Sequence, residues 1–210
     1  MTNAPANQKK KLSGLALFRI LLWTAVAIVA LLAGLMFAMN RTQQNTQLAG
    51  LTGAPFTLDS TAGGQFTQAS LKGTPTLLFF GYTFCPDVCP TTLAQLTAAR
   101  EQLGITPDKL RIVFATVDPQ RDTLDQLKKY LSNFSGSVIG LTGTEAQVEQ
   151  IKAAFGIYSK KGTDDGTGTY LVDHTASVFL LDKDGEFKGT IAYGEDQNAA
   201  DDKIKRLVGI

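Results

Sequence analysis

The 210-residue chain contains two cysteines, one histidine and one tryptophan, and its 20 basic residues nearly cancel its 19 acidic ones. Two cysteines cannot staple a disulfide-rich scaffold, and with one histidine they cannot fill the four-ligand set of a closed zinc site. The absence of a surplus of Lys and Arg argues against a general nucleic-acid binder, which must neutralise phosphates. No internal repeat is visible. Any thiol or soft-metal chemistry must therefore draw on Cys85, Cys89 and His174.

What the chain does have is an uneven distribution of charge. Residues 20–39, ILLWTAVAIVALLAGLMFAM, carry no charge. At 1.5 Å rise per residue they span about 30 Å, the hydrocarbon thickness of a bilayer. The run is longer than the apolar core of a cleavable signal peptide, ends in Phe37-Ala38-Met39-Asn40 and not in an A-x-A-like site, and is not followed by a cysteine for lipid attachment. It reads as a transmembrane anchor. Lys9, Lys10, Lys11 and Arg19 precede it and only Arg41 closely follows, so the positive-inside rule makes residues 1–19 a cytoplasmic tail. The remainder, with 16 basic against 19 acidic residues, is a mildly acidic domain on the far side. Because the tail is not rich in Arg and Ser, unlike a transit peptide, the expected location is a bacterial inner membrane with a periplasmic C-terminal domain. Residues 40–52, NRTQQNTQLAGLT, suit a polar linker, which leaves 53–210 as the globular domain.

Within that domain, hydrophobic patterning alternates between strand and helix. Phe56–Leu58 and Gln65–Thr67 form an expected hairpin, and Thr76–Tyr82 is the continuous apolar run of a strand buried on both faces. A helix is expected from about Thr91 with Pro90 at its first position, closing at Gly104, and Arg111–Val117 reads as the next strand. Leu124, Leu127, Leu131 and Phe134 define a helix with Asp122 as N-cap, and Val138–Leu141 a short strand. Thr144 and Gln147 make a capping box for a helix through Phe155. Ser177–Leu181 and Glu186–Tyr193 flank a turn, and a last helix runs from about Asn198 to Leu207. The expected fold class is α/β, a thioredoxin-like fold preceded by a single N-terminal transmembrane helix.

Chemistry concentrates in FFGYTFCPDVCPTTL, at the carboxyl end of the first core strand, where open α/β sheets place ligands. On a helical turn, Cys85 and Cys89 would lie on one face, close enough to share a metal or to bridge. A helix N-terminus favours thiolate over thiol. As a mere staple the pair would be weak, since a bridge closing five residues stabilises by about 2 kcal/mol against about 4.7 for a 100-residue loop. His174, in TYLVDHTASVFLL, sits just before a strand expected to neighbour the cysteine-bearing one. Two thiolates and one imidazole suit Cu(I), and Cu(II) with a further weak ligand, whereas zinc would need a fourth ligand or an open water position.

These segments resemble the SCO/SenC copper proteins of respiratory oxidase assembly. FGYTFCPDVCPTTL carries that family's CPDVCP core, TVDPQRDT its VDPxRDT segment and YLVDHTASVFLLD its DHxxxxxL strand. The resemblance covers about residues 53–195, and the N-terminal anchor fits it as well. It implies a thioredoxin-like domain that binds one copper through Cys85, Cys89 and His174 and helps to metallate the dinuclear copper A site of cytochrome c oxidase. The expected partners are the oxidase's copper-bearing subunit and other periplasmic copper carriers. A second role implied by the resemblance is thiol–disulfide oxidoreductase action of Cys85 and Cys89, as a redox-active pair, on the cysteines of that copper site or of another periplasmic partner. A thiol peroxidase, which can share the fold, would want a P-x-x-x-T-x-x-C setting, and Thr83 stands only two residues before Cys85.

Four acidic residues lie near these motifs: Asp87 between the cysteines, Asp118 and Asp122 in VDPQRDT, and Asp173 beside the histidine. Turn and cap chemistry accounts for Asp87, Asp118 and Asp122 as well as a role around the metal does, while Asp173 could orient a loop or supply a weak extra oxygen to the metal. The Gly-rich, polar stretch Ser159–Thr169 reads as a flexible loop able to reposition His174.

Overall fold

A computed structural model describes residues 14–50, 54–163, 166 and 169–210. Residues 1–13, 51–53, 164, 165, 167 and 168 lie outside the described residues, and with them most of the expected tail, the end of the linker and part of the Ser159–Thr169 stretch. The chain divides into two compact units, Met1–Thr46 and Gln47–Ile210.

The first unit is built on helix α1, Gly14–Gly50. Phe18–Met36 is long and apolar enough to cross a membrane, and its side chains are exposed throughout. The helix does not stop at residue 39 but continues through most of the segment read as a linker. Residues 35–49 contain neither Gly nor Pro, so nothing in the backbone interrupts the hydrogen-bond ladder.

In the second unit, seven strands form one sheet in the order β2-β1-β5-β4-β3-β8-β9. Its members are β1 (Thr57–Ser60), β2 (Gln65–Thr67), β3 (Thr76–Gly81), β4 (Arg111–Thr116), β5 (Val138–Thr142), β8 (Val178–Leu181) and β9 (Phe187–Ile191). β3, β4 and β5 are parallel, and β8 lies antiparallel against β3 with Phe79 opposite Val178. All six residues of β3 are buried, as a strand covered on both faces requires. Side-chain alternation sends Phe80 toward Phe155 and Phe179, with ring centroids 5.6 and 5.9 Å away, and Phe79 to the opposite face toward Phe114, at 6.0 Å. Each such buried ring contributes about 1.5–3 kcal/mol relative to exposure.

Among the described residues, four α-helices, α2 (Val88–Gln102), α3 (Leu124–Leu131), α4 (Glu145–Phe155) and α5 (Gln197–Val208), and a short 3-10 helix, Gln68–Leu71, accompany this sheet. The capping box holds as expected, with the Thr144 hydroxyl accepting from the Gln147 amide. Two helix starts differ from the sequence reading. α2 begins at Val88, so Pro90 occupies its third rather than its first position; a third-position N–H has no intrahelical acceptor either, so proline is tolerated there. The cap of α3 is Thr123, whose hydroxyl accepts from the Gln126 amide at 3.2 Å, and not Asp122. Asp122 is fully buried and turned to a different task.

A feature invisible to the periodicity is a second, two-stranded sheet. β6 (Ser159–Lys161) pairs antiparallel with β7 (Val172–His174), placing Ser159 opposite His174. The start of the expected loop is thus ordered as a strand.

Candidate metal centre

Strand β3 ends at Gly81, and the chain turns at once: the Cys85 amide donates to the Tyr82 carbonyl at 3.2 Å. This turn lifts Cys85 to the surface, where it is partly exposed, while Cys89 enters the first turn of α2 and is fully buried. Both are free thiols. The Cys89 amide donates to the Cys85 sulfur at 3.5 Å, one of the otherwise unpaired N–H groups at a helix start. Gly81 makes room for the second sulfur, since a Cβ there would lie 2.7 Å from Cys89 Sγ and 2.8 Å from the Phe114 ring.

The histidine arrives from the other side. β8 neighbours β3, as a thioredoxin-like strand order implies, but His174 ends the separate strand β7, four residues before β8 begins. Its Nε2 lies 3.6 Å from Cys89 Sγ and its Nδ1 3.0 Å from the Thr175 carbonyl. A carbonyl can only accept, so Nδ1 carries the proton and the Nε2 lone pair faces the sulfurs. The rings of Tyr82 and Phe79 meet the imidazole edge-on at 5.8 and 6.3 Å.

The Cys85 sulfur, the Cys89 sulfur and one His174 nitrogen all lie within 4.8 Å of one another. Metal bonds of about 2.0–2.3 Å in a trigonal set would space donors at roughly 3.5–4 Å, so the group can close on an ion with small movements. Their protonation is divided. A hydrogen bond from the Cys89 thiol, helped by the backbone amides of Cys89 and Asp87, lowers the Cys85 pKa to about 3. The same bond and burial push the Cys89 thiol up. Without metal the pair therefore shares one proton.

The chain's match to the SCO1/SenC family model extends over residues 44–209. It belongs to the SCO1/SenC family. The human mitochondrial SCO1 homolog is 35% identical over 180 residues, covering 79% of this chain and 60% of that protein. An SCO2-like protein of Rickettsia prowazekii is 38% identical over 136 residues, 64% of this chain and 66% of its own length. The chain thus spans between about half and two thirds of the curated relatives it matches, 52% for yeast SCO2. Among solved structures, Bradyrhizobium japonicum ScoI with copper bound is 40% identical with a TM-score of 0.67, covering 74% of this chain and 98% of that one. Yeast Sco1 with copper bound is 34% identical with a TM-score of 0.67 and coverages of 75% and 88%. The thioredoxin-like fold class is thereby shown for this SCO1/SenC domain.

Around the three donors, this SCO1/SenC domain places the acidic residues in four different settings. Asp87 stands at the N-cap of α2 without capping it and accepts from the Thr91 hydroxyl. Asp118 is buried, bound by Arg121 Nε at 2.5 Å and by the Tyr170 hydroxyl at 2.8 Å. Asp122 accepts from the Thr83 amide, the Thr83 hydroxyl and the Thr116 hydroxyl, and burial raises its pKa. Asp173 is exposed, with its side chain on the opposite side of β7 from the neighbouring His174. None of the four joins the three-donor cluster among the described residues. The aromatic wall of Phe79 and Tyr82 and the Arg121 guanidinium, 4.6 Å from the half-exposed Phe84 ring, were not singled out from the sequence. No local pattern marks them, because their partners come from distant strands.

Proposed function

We propose that the chain is a membrane-anchored copper metallochaperone that binds one copper through Cys85, Cys89 and His174 and helps to metallate the copper A site of cytochrome c oxidase. The observation that carries this reading is the convergence of two sulfurs and a correctly tautomerised imidazole within 4.8 Å at the rim of the sheet. Two thiolates and one imidazole favour Cu(I), and the same donors accept Cu(II) with a further weak ligand. Copper is the cargo. The partly exposed Cys85 admits an incoming thiolate from the partner, so transfer proceeds by ligand exchange, and oxidation of the pair to a disulfide removes both anionic donors and releases the metal. Helix α1 supplies the anchor, with the N-terminus cytoplasmic and the domain in the periplasm. The partners are the oxidase's copper-bearing subunit and periplasmic copper carriers. Relatives of known structure that hold copper support the choice of metal.

A second reading is favoured by the depressed Cys85 pKa: a thiolate nucleophile beside a protonated thiol can attack a partner disulfide. Cys85 sulfur forms a mixed disulfide, Cys89 loses its proton and displaces the partner, and two electrons and that one proton pass to the partner's cysteines as Cys85–Cys89 forms, with water supplying the second proton. One experiment separates the two. The reduced, metal-free full chain in detergent is titrated with Cu(I) against a competing chelator and assayed for reduction of a peptide disulfide bearing the copper A cysteines. The chaperone reading expects one copper per chain and strong weakening by His174→Ala. Full copper affinity in His174→Ala, with disulfide reduction dependent on Cys85 and Cys89, would decide for the oxidoreductase.

A further inference from the structure

His174 inherits its position from the β6–β7 hairpin, which has no place in the seven-stranded sheet. An isolated two-stranded hairpin is marginal in water, so its seat depends on what ties it to the rest of the unit. Ile157, Tyr170 and Val172 are buried and supply adhesion. Adhesion of this kind is non-directional and does not fix the hairpin to a fraction of an ångström. Direction comes from two tyrosine hydroxyls. Tyr82, in the turn that leads to Cys85, accepts a hydrogen bond from the Val172 amide at 3.2 Å, two residues before the histidine. Tyr170 donates to Asp118 in the loop after β4 at 2.8 Å. The Tyr170 ring also meets two cations, the Arg121 guanidinium at 3.5 Å and the ammonium of Lys161, on β6, at 3.8 Å.

We propose that Tyr82 and Tyr170 are positioning residues for His174: their hydroxyls seat the hairpin so that Nε2 reaches the two sulfurs, and thereby decide whether the metal gains its third donor. The inference rests on the metal-binding reading above. Neither hydroxyl has a sulfur among its hydrogen-bond partners. Metal bonds tolerate displacements of only about 0.2 Å, so a hairpin shift too small to unfold anything costs the imidazole its bond.

The test uses the reduced full chain in detergent, with Cu(I) alone as the probe in chelator competition and nitrogen hyperfine coupling of the Cu(II) form as the spectroscopic signature. Tyr82→Phe and Tyr170→Phe keep both rings and remove one hydrogen bond each. Each variant is expected to weaken Cu(I) binding by about two- to tenfold, the scale of one hydrogen bond, and to reduce the nitrogen coupling from His174. In a His174→Ala background, neither tyrosine change should alter affinity further. Equal weakening with and without the imidazole overturns the proposal, because the tyrosines would then act on the thiols or the whole fold. Unchanged affinity and coupling in both single variants overturns it too. If His174→Ala itself leaves Cu(I) affinity intact, the metal-site reading fails and the positioning role falls with it. Should one variant not fold, the other carries the test alone, since the two hydroxyls act at separate points.

Discussion

The Asp122 carboxylate accepts from both the amide and the hydroxyl of Thr83, 39 positions earlier in the chain, at 3.0 and 2.6 Å. The Thr116 hydroxyl also donates to it, at 2.6 Å, and the Asp122 carbonyl accepts from Thr142. One buried acid thus ties the ends of β4 and β5 to the turn two residues before Cys85.

Replacing Asp122 with Asn leaves one acceptor oxygen for three donors and turns an NH₂ group toward the Thr83 amide. The expected loss is about 1–3 kcal/mol of unfolding free energy, the cost of leaving a buried donor unpaired. Urea denaturation of the reduced protein measures it. A change under 0.5 kcal/mol would mean that the carboxylate is not an essential acceptor.

At Gly81 the side chain, not the backbone angle, is forbidden. A methyl group there meets Cys89 Sγ and the Phe114 ring inside 3 Å, both anchored in the core. Gly81→Ala is expected to destabilise by about 1–3 kcal/mol, as overpacking does, and to weaken copper binding by displacing the buried sulfur. Equal copper affinity in the variant would show that the sulfur is free to move.

Lowering of the Cys85 pKa from 9.0 to about 3 has a direct signature. The unfolded pair keeps both protons up to its ordinary range, whereas the folded pair has already released one. Stability of the reduced, metal-free domain is therefore expected to rise with pH between about 3 and 9 and to fall as pH drops toward 3. Cys89, pushed the other way, stays protonated across that window and adds no slope there. Denaturation at pH 5 and pH 8 should reveal the slope, and Cys85→Ser should flatten it. Cys85 should also react with iodoacetamide at a rate nearly independent of pH from 5 to 8, where an ordinary thiol accelerates about tenfold per unit. A steep profile would rule out the thiolate.

The exposed apolar stretch Phe18–Met36 makes a simpler demand. Expressed in bacteria, the full chain should sediment with membranes and resist carbonate extraction, and deletion of residues 1–40 should release a soluble domain. Extraction of the full chain by carbonate would exclude a spanning anchor.

Legibility in the sequence followed the range of the interactions involved. β3 announces itself because a strand buried on both faces must be apolar at every position, and TLLFFG is. α4 is equally plain, its capping box being a three-residue affair between Thr144 and Gln147. Asp122 was misread because an acid just before a helix looks the same whether it caps or reaches across the sheet; Thr123, one residue on, supplies the cap instead. β6 escaped notice because two of its three residues are exposed lysines with no apolar alternation to read.

Composition and spacing alone determined that three soft donors exist, that two of them sit four residues apart after a buried strand, and that a long apolar helix precedes the domain. Those are local facts, set by residue type and by the period of strand or helix. Only the tertiary structure decided that Cys89 and His174, 85 positions apart, stand 3.6 Å from each other, with the imidazole proton on the far nitrogen. That meeting depends on β8 pairing with β3 and on a hairpin outside the main sheet folding back over the thiols. No local pattern encodes such a pairing, because the burial that drives it is shared by residues from every strand at once.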